Sequence, residues 1–105
     1  MTFGFSRDDT GNLIQQYEEQ GLLPADPFHS LDMDGVGRLI EIAAKNGRHT
    51  RSNLRLGMCG EQAGEPATIE FCHHVGMDYV SCSPFRIPMA RIASAQAALR
   101  GEADL

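Results

Sequence analysis

No run of about 18 apolar residues occurs in the chain, so no segment reads as a membrane-spanning helix. The N-terminus also lacks the basic-then-apolar order of a secretory signal. Cysteine is scarce. The three present, Cys59, Cys72 and Cys82, are odd in number and do not form the spaced framework that staples small secreted domains. Their pattern is that of a reducing, cytoplasmic setting. A basic excess is missing too. Nine Lys and Arg face fourteen Asp and Glu, a net charge of -5, which argues against a general nucleic-acid-binding face. Internal repeats, low-complexity tracts and a P-loop for phosphate are absent.

What remains is an ordinary globular composition: 105 residues, 42% hydrophobic and 22% charged. That length suits one small domain whose core leaves little stability to spare. The charge is uneven. Arg38, Lys45, Arg48, Arg51 and Arg55 fall in one stretch whose single acid is Glu41. Such a stretch reads either as a solvated face with cations near a helix C-terminus, or as a docking patch for a phosphorylated partner domain.

Residues 1–11 read as a loop. Leu13, Ile14 and Tyr17 then recur at helical spacing, and Gly21 suits a left-handed stop. Residues 24–34 are rich in turn formers. A second helix follows, with Asp34 as its cap, Val36, Leu39, Ile40 and Ala43 as its apolar stripe and Gly47 as its end. LRLGM (54–58) reads as a strand and CGEQAGE as a loop. Pro66 then opens a third helix whose inner face holds Ile69, Cys72 and Val75 or Gly76. DYVSC (78–82) reads as a second strand, and SPFRIP leads into a last helix from about Pro88 to Leu99. Met89, Ile92, Ala93 and Ala97 form that helix's expected apolar face, and the tail 102–105 is expected to fray. Strands alternating with helices imply parallel pairing in an α/β fold. Parallel sheets are normally covered on both faces, so two strands suggest a piece of something larger.

The segment GMCGEQAGEP (57–66) carries the chemistry. Active sites of parallel α/β proteins gather at the C-terminal ends of strands, where Cys59 is expected. Gly57 and Gly60 flank it and let backbone approach a ligand. A helix begins just beyond, and its N-terminus favours anions, a thiolate among them. Cys59 could act as a nucleophile, as a proton donor and acceptor, or simply as a small residue in a tight turn. Cys82 ends the second strand among Ser81, Ser83 and Arg86, polar enough for a site, though packing explains it better. Cys72 reads as core. Cys72, His73 and His74 are adjacent on a helix and point in different directions, with no second ligand pair at zinc-like spacing. The remaining histidines, His29 and His49, have no obvious partners.

MTFGFSRDD, GRHTRSNL, GMCGEQAGEP and EFCHHVGMDYVSCSPFRIPMARIASAQAAL together resemble the C-terminal end of the pyruvate phosphate dikinases, a family of phosphoenolpyruvate (PEP)-utilising enzymes. YVSCSPFR followed by P-x-A-R is specific to that family, whereas GMCGE is shared with enzyme I of the sugar phosphotransferase system and, loosely, with PEP synthase. The resemblance implies the last two βα units of a (β/α)8 barrel that binds pyruvate or PEP, preceded by a helical connection. It implies that Cys59 gives a proton to, and takes one from, the methyl carbon of pyruvate. Gly57, Gly60 and Glu61 would support the substrate loop. It further implies magnesium held by carboxylates upstream of this chain and a phosphohistidine on a separate domain. The barrel domain would make a homodimer contact, and neither nucleic acid nor membrane would be a partner. Where the family commonly has His-Gly-Gly-Asp, this chain has Gln62-Ala63-Gly64-Glu65. A chain of this extent would hold one catalytic side chain and show no turnover alone.

Overall fold

The computed structural model describes residues 3–103. Four α-helices and two strands follow the expected order: α1 (Gly11–Glu19), α2 (Arg38–Thr50), β1 (Gly57–Cys59), α3 (Pro66–Val75), β2 (Tyr79–Ser81) and α4 (Ile87–Ala103). Single 3-10 turns at Arg7–Asp9, Glu61–Gly64 and Pro84–Arg86 punctuate the connections. Among the described residues no helix is long and apolar enough to cross a membrane.

The strands pair in parallel, with Gly57 opposite Tyr79, Met58 opposite Val80 and Cys59 opposite Ser81. Side chains alternate across a strand. Met58 and Val80 therefore point into the helical layer, where they pack with Leu31, Ala63 and Cys72. Gly57, Cys59, Tyr79 and Ser81 point to the opposite face, over which no helix packs among the described residues; all four are exposed. Burial pushes the Cys72 thiol up from its ordinary range, as expected for a core cysteine. Cys82 is half-buried against the same core.

Several helix ends behave as the residue types dictate. Gly21 takes a φ of 71° and lets the Leu22 N–H return to the Tyr17 carbonyl, closing α1. Pro66 starts α3, and Gly76 closes it at a φ of 76°. Before Pro66, the Glu65 carboxylate accepts hydrogen bonds from the Ala67 N–H at 3.1 Å, the Thr68 N–H at 2.8 Å and the Thr68 hydroxyl at 2.8 Å. Thr68 is fully buried, so this cap also satisfies its hydroxyl.

α2 departs from the sequence reading in three ways. Its cap is Asp32, not Asp34: Met33–Gly37 forms a wide π turn leading into the helix, and Asp32 accepts the Gly35 N–H at 3.1 Å. Its inward stripe is Val36, Ile40 and Ala44, spaced by four, while Leu39 and Ala43 face outward. Nor does Gly47 end the helix, which continues to Thr50. A Cβ at Gly47 would lie 2.7 Å from Leu54 Cδ2, so that glycine serves close packing instead.

α4 is also longer than expected, running from Ile87 through Gly101 to Ala103, so the segment expected to fray is helical that far; 104–105 lie outside the described residues. Ala90, Ala93 and Ala97 form its buried stripe, with Ala90 and Ala93 packing on Ile69 of α3. Arg100 reaches Glu70 at 2.7 Å across the same pair of helices. Met89 and Ile92, expected inside, are 55% and 61% exposed. Alanines let α3 and α4 approach closely, and the large side chains are left on the other face.

Candidate active site at the end of the first strand

Cys59 is the last residue of β1, exposed on the uncovered face of the sheet. Gly60 follows at a φ of 121°, a backbone conformation that side chains with a Cβ rarely adopt. That turn carries the chain into the 3-10 turn Glu61–Gly64 and then into α3. The expected arrangement of strand, thiol, glycine turn and helix is therefore what the chain forms. Gly57 lies on the same face, and the Tyr79 ring covers it: a Cβ there would come within 2.2 Å of the ring. The Arg55 guanidinium sits over that ring, 5.7 Å from its centroid.

Glu61, two residues beyond Cys59, pairs with Arg7 of the N-terminal loop. This contact joins two segments 54 residues apart in sequence beside the thiol. Gln62 extends toward a cleft of about 500 Å³ whose walls include Phe5, Ile14, Phe28, Leu31 and Val36. The sequence-predicted Gly57 and Cys59 thus share the open face of the sheet, and Gly60 and Glu61 begin the turn that leaves its C-terminal end. Tyr79 and Ser81 join Gly57 and Cys59; the sequence already offers Ser81 as a polar neighbour of Cys82, whereas Tyr79 escapes a reading of the sequence alone. Only the register, which sets Gly57 against Tyr79 and Cys59 against Ser81, brings them there.

The basic stretch lies elsewhere. The C-terminal ends of α2 and α3 meet at the start of the strands, opposite Cys59. A shallow groove there is lined by Lys45, Arg48, His49 and His74 with Glu41. Arg48 is 3.1 Å from Asp78, and Arg51 bonds Asn53 at 3.2 Å. The Asp78 carboxylate also accepts the Leu56 N–H at 2.7 Å, and its own N–H donates to the Leu56 carbonyl at 2.8 Å. The Leu56 N–H and the Arg48 guanidinium hold this carboxyl below the usual carboxylate range. These contacts make part of the basic stretch a structural clip and favour its reading as a solvated face. Among the described residues no three His, Cys, Asp or Glu side chains come together to hold a metal.

Residues 1–99 match the family described as "PEP-utilising enzyme, PEP-binding domain". The chain is 56% identical over 102 residues to a pyruvate, phosphate dikinase of Clostridium symbiosum, covering 97% of this chain and 12% of that protein. It is 56% identical over 100 residues to the pyruvate, phosphate dikinase of Rhizobium meliloti (strain 1021), covering 95% of this chain and 11% of the relative. A chloroplastic pyruvate, phosphate dikinase of Flaveria pringlei is 56% identical over 96 residues, 91% of this chain and 10% of its own length. The chain thus spans about a tenth of the length of these relatives. It belongs to the PEP-utilising enzyme family and corresponds to part of that family's PEP-binding domain.

Proposed function

We propose that this chain supplies the acid–base cysteine of a pyruvate phosphate dikinase, which interconverts ATP, pyruvate and phosphate with AMP, PEP and diphosphate. The observation that carries the proposal is Cys59: an exposed thiol at the C-terminal end of a parallel strand, on an open face, in a chain with the family's sequence. In the direction of pyruvate formation, the S–H proton goes to the methylene carbon of the enolate. The C=C electron pair forms the new C–H bond, and a thiolate remains. In the reverse direction the thiolate takes a methyl proton. Gly60 opens the backbone beside the thiol, and the Arg7–Glu61 pair anchors the turn that follows. In the complete enzyme, the open face of β1 and β2 would be the interior of a (β/α)8 barrel, and these strands its last two. Magnesium would be held by carboxylates outside this chain, and the phosphoryl group would arrive on a histidine of a separate domain.

Two measurements test this reading. The purified 105-residue chain is expected to form no PEP; turnover by it would overturn the view that it is incomplete. A chimera carrying this chain in place of the matching segment of the Clostridium symbiosum relative is expected to form PEP. Cys59→Ala in that chimera should lower kcat by about 10²- to 10⁴-fold, the usual contribution of a positioned acid–base group. An active Cys59→Ala chimera would remove the proposed role.

A second reading concerns assembly. Large apolar side chains lie along the outer side of α4 and the turn before it: Phe85 is 95% exposed, Met89 55%, Ile92 61% and Leu99 66%. With Gln96 they follow the alternating four- and three-residue spacing of a helix–helix seam. We infer that this surface pairs with a second copy of the chain, as a homodimer contact.

A further inference from the structure

The cleft of about 500 Å³ has no part in the chemistry proposed for Cys59, which does not line it. The N-terminal loop, α1 and the turn-rich stretch 24–34 supply most of its walls, and Gln62 is the contribution of the turn that follows Cys59. Ile14 and Leu31, both buried, lie at its base, and Phe3, Phe5 and Phe28 stand around it. A cavity of this size with apolar and aromatic walls suits a small molecule. Its charge is one-sided. Asp32 is the one charged residue among those lining it. One oxygen of its carboxylate accepts the Gly35 N–H at 3.1 Å, and glycine at 35 leaves room for the other, which a Cβ there would meet. Among the described residues no Lys, Arg or His pairs with Asp32. The surrounding sequence carries the same sign. Residues 1–34 hold seven of the fourteen acids, and Arg7, tied to Glu61, is the one Lys or Arg among them.

A cleft with aromatic walls, one carboxylate and no cation favours a ligand that is apolar along its body and positive at one end. The face of an aromatic ring is the negative part of its quadrupole and attracts an ammonium group. The carboxylate adds Coulomb attraction, and apolar walls focus its field. An anion would be repelled. A bare divalent cation fits poorly, because it needs several oxygen ligands and no three His, Cys, Asp or Glu side chains converge among the described residues. We propose that this cleft binds small organic ammonium ions with an aryl or alkyl body, the charged end at Asp32 and the body among Phe3, Phe5 and Phe28. The site is separate from the Cys59 thiol, so its failure would leave the acid–base reading of Cys59 standing, and the reverse holds as well.

Three ligands that share one body test this. At neutral pH 3-phenylpropylamine is positive, 3-phenylpropan-1-ol neutral and 3-phenylpropionate negative. Each is titrated into the nitrogen-15-labelled chain at constant ionic strength, in the millimolar range suited to ligands this small. The amide signals of Phe5, Ile14, Phe28 and Leu31 report occupancy of the cleft. The amine should bind about fivefold more tightly than the alcohol, and the propionate should move these signals least. Asn caps a helix start as well as Asp does, so Asp32→Asn should keep the turn. That variant should lower the preference for amine over alcohol about threefold and leave the affinity for the alcohol unchanged. Phe28→Leu keeps an apolar wall but removes a ring face, and should lower the same preference about twofold. Equal binding of amine and alcohol to the wild-type chain, or a preference that survives both substitutions, would overturn the proposal. So would a complete titration with the amine that leaves all four amide signals in place.

Discussion

At the scale of single residues, Asp78 shows how one side chain closes the bottom of the sheet. Its carboxylate accepts from the Leu56 N–H and from Arg48, so the charged form is favoured in the folded state. The free carboxyl titrates near about 3.9, and folding depresses that value. A depressed value means that the stabilisation is fully present above the unfolded carboxyl's range and is lost as pH falls through it toward the folded value. Asp78→Asn is therefore expected to unfold at lower urea than wild type at pH 6, with the two midpoints converging as pH falls toward 3. A gap that does not narrow with acidification would mean that the charge is not what Asp78 contributes. No reading of the sequence singles this residue out, because Leu56 and Arg48 become its neighbours only when the strands align. The same limit applies to Tyr79 and to the register that sets Ser81 opposite Cys59. Cys59, Gly57, Gly60 and Glu61 were legible because the strand-to-helix passage that places them is local.

At the scale of elements, the cap of α3 is the clearest energetic unit. Glu65 satisfies two backbone donors and the hydroxyl of a threonine with no exposed surface. Glu65→Ala would leave that hydroxyl without its acceptor and the helix start without its cap. Together these should cost about 2 kcal/mol in urea unfolding. Glu65→Gln keeps an acceptor oxygen and should lose about half as much; equal losses from both variants would point to charge, not hydrogen bonding. Pro66 and Gly76 mark the ends of this helix plainly, since each imposes a backbone angle by its own covalent structure. α2 was harder to read. Asp32 and Asp34 both suit a cap, and the π turn between Met33 and Gly37 decides between them. Its stripe could have followed Leu39 and Ala43 or Ile40 and Ala44. The packing of Val36, Ile40 and Phe71 against the Leu31–Cys72 core chooses the latter.

At the scale of the whole molecule, the order of helices and strands was legible from periodicity, but which faces would find a partner was not. α4 illustrates the reason. It is apolar on two sides, alanines toward α3 and large side chains outward, so no single polar face marks the solvent side. The open face of the two-stranded sheet poses the same problem, with Tyr79 53% exposed and strand edges unpaired. A molecule with this much uncovered apolar surface is expected to self-associate. Light scattering after size exclusion should give at least twice the 11.5 kDa mass of one chain. Met89→Glu with Ile92→Glu places charge at the middle of the α4 seam without touching the alanine stripe. The double variant should therefore elute as a monomer with an unchanged far-ultraviolet circular dichroism spectrum. A wild-type monomer at high concentration would remove the dimer reading. Association that persists in the double variant would move the contact from α4 to the sheet, whose unpaired edges are the other surface able to join two copies.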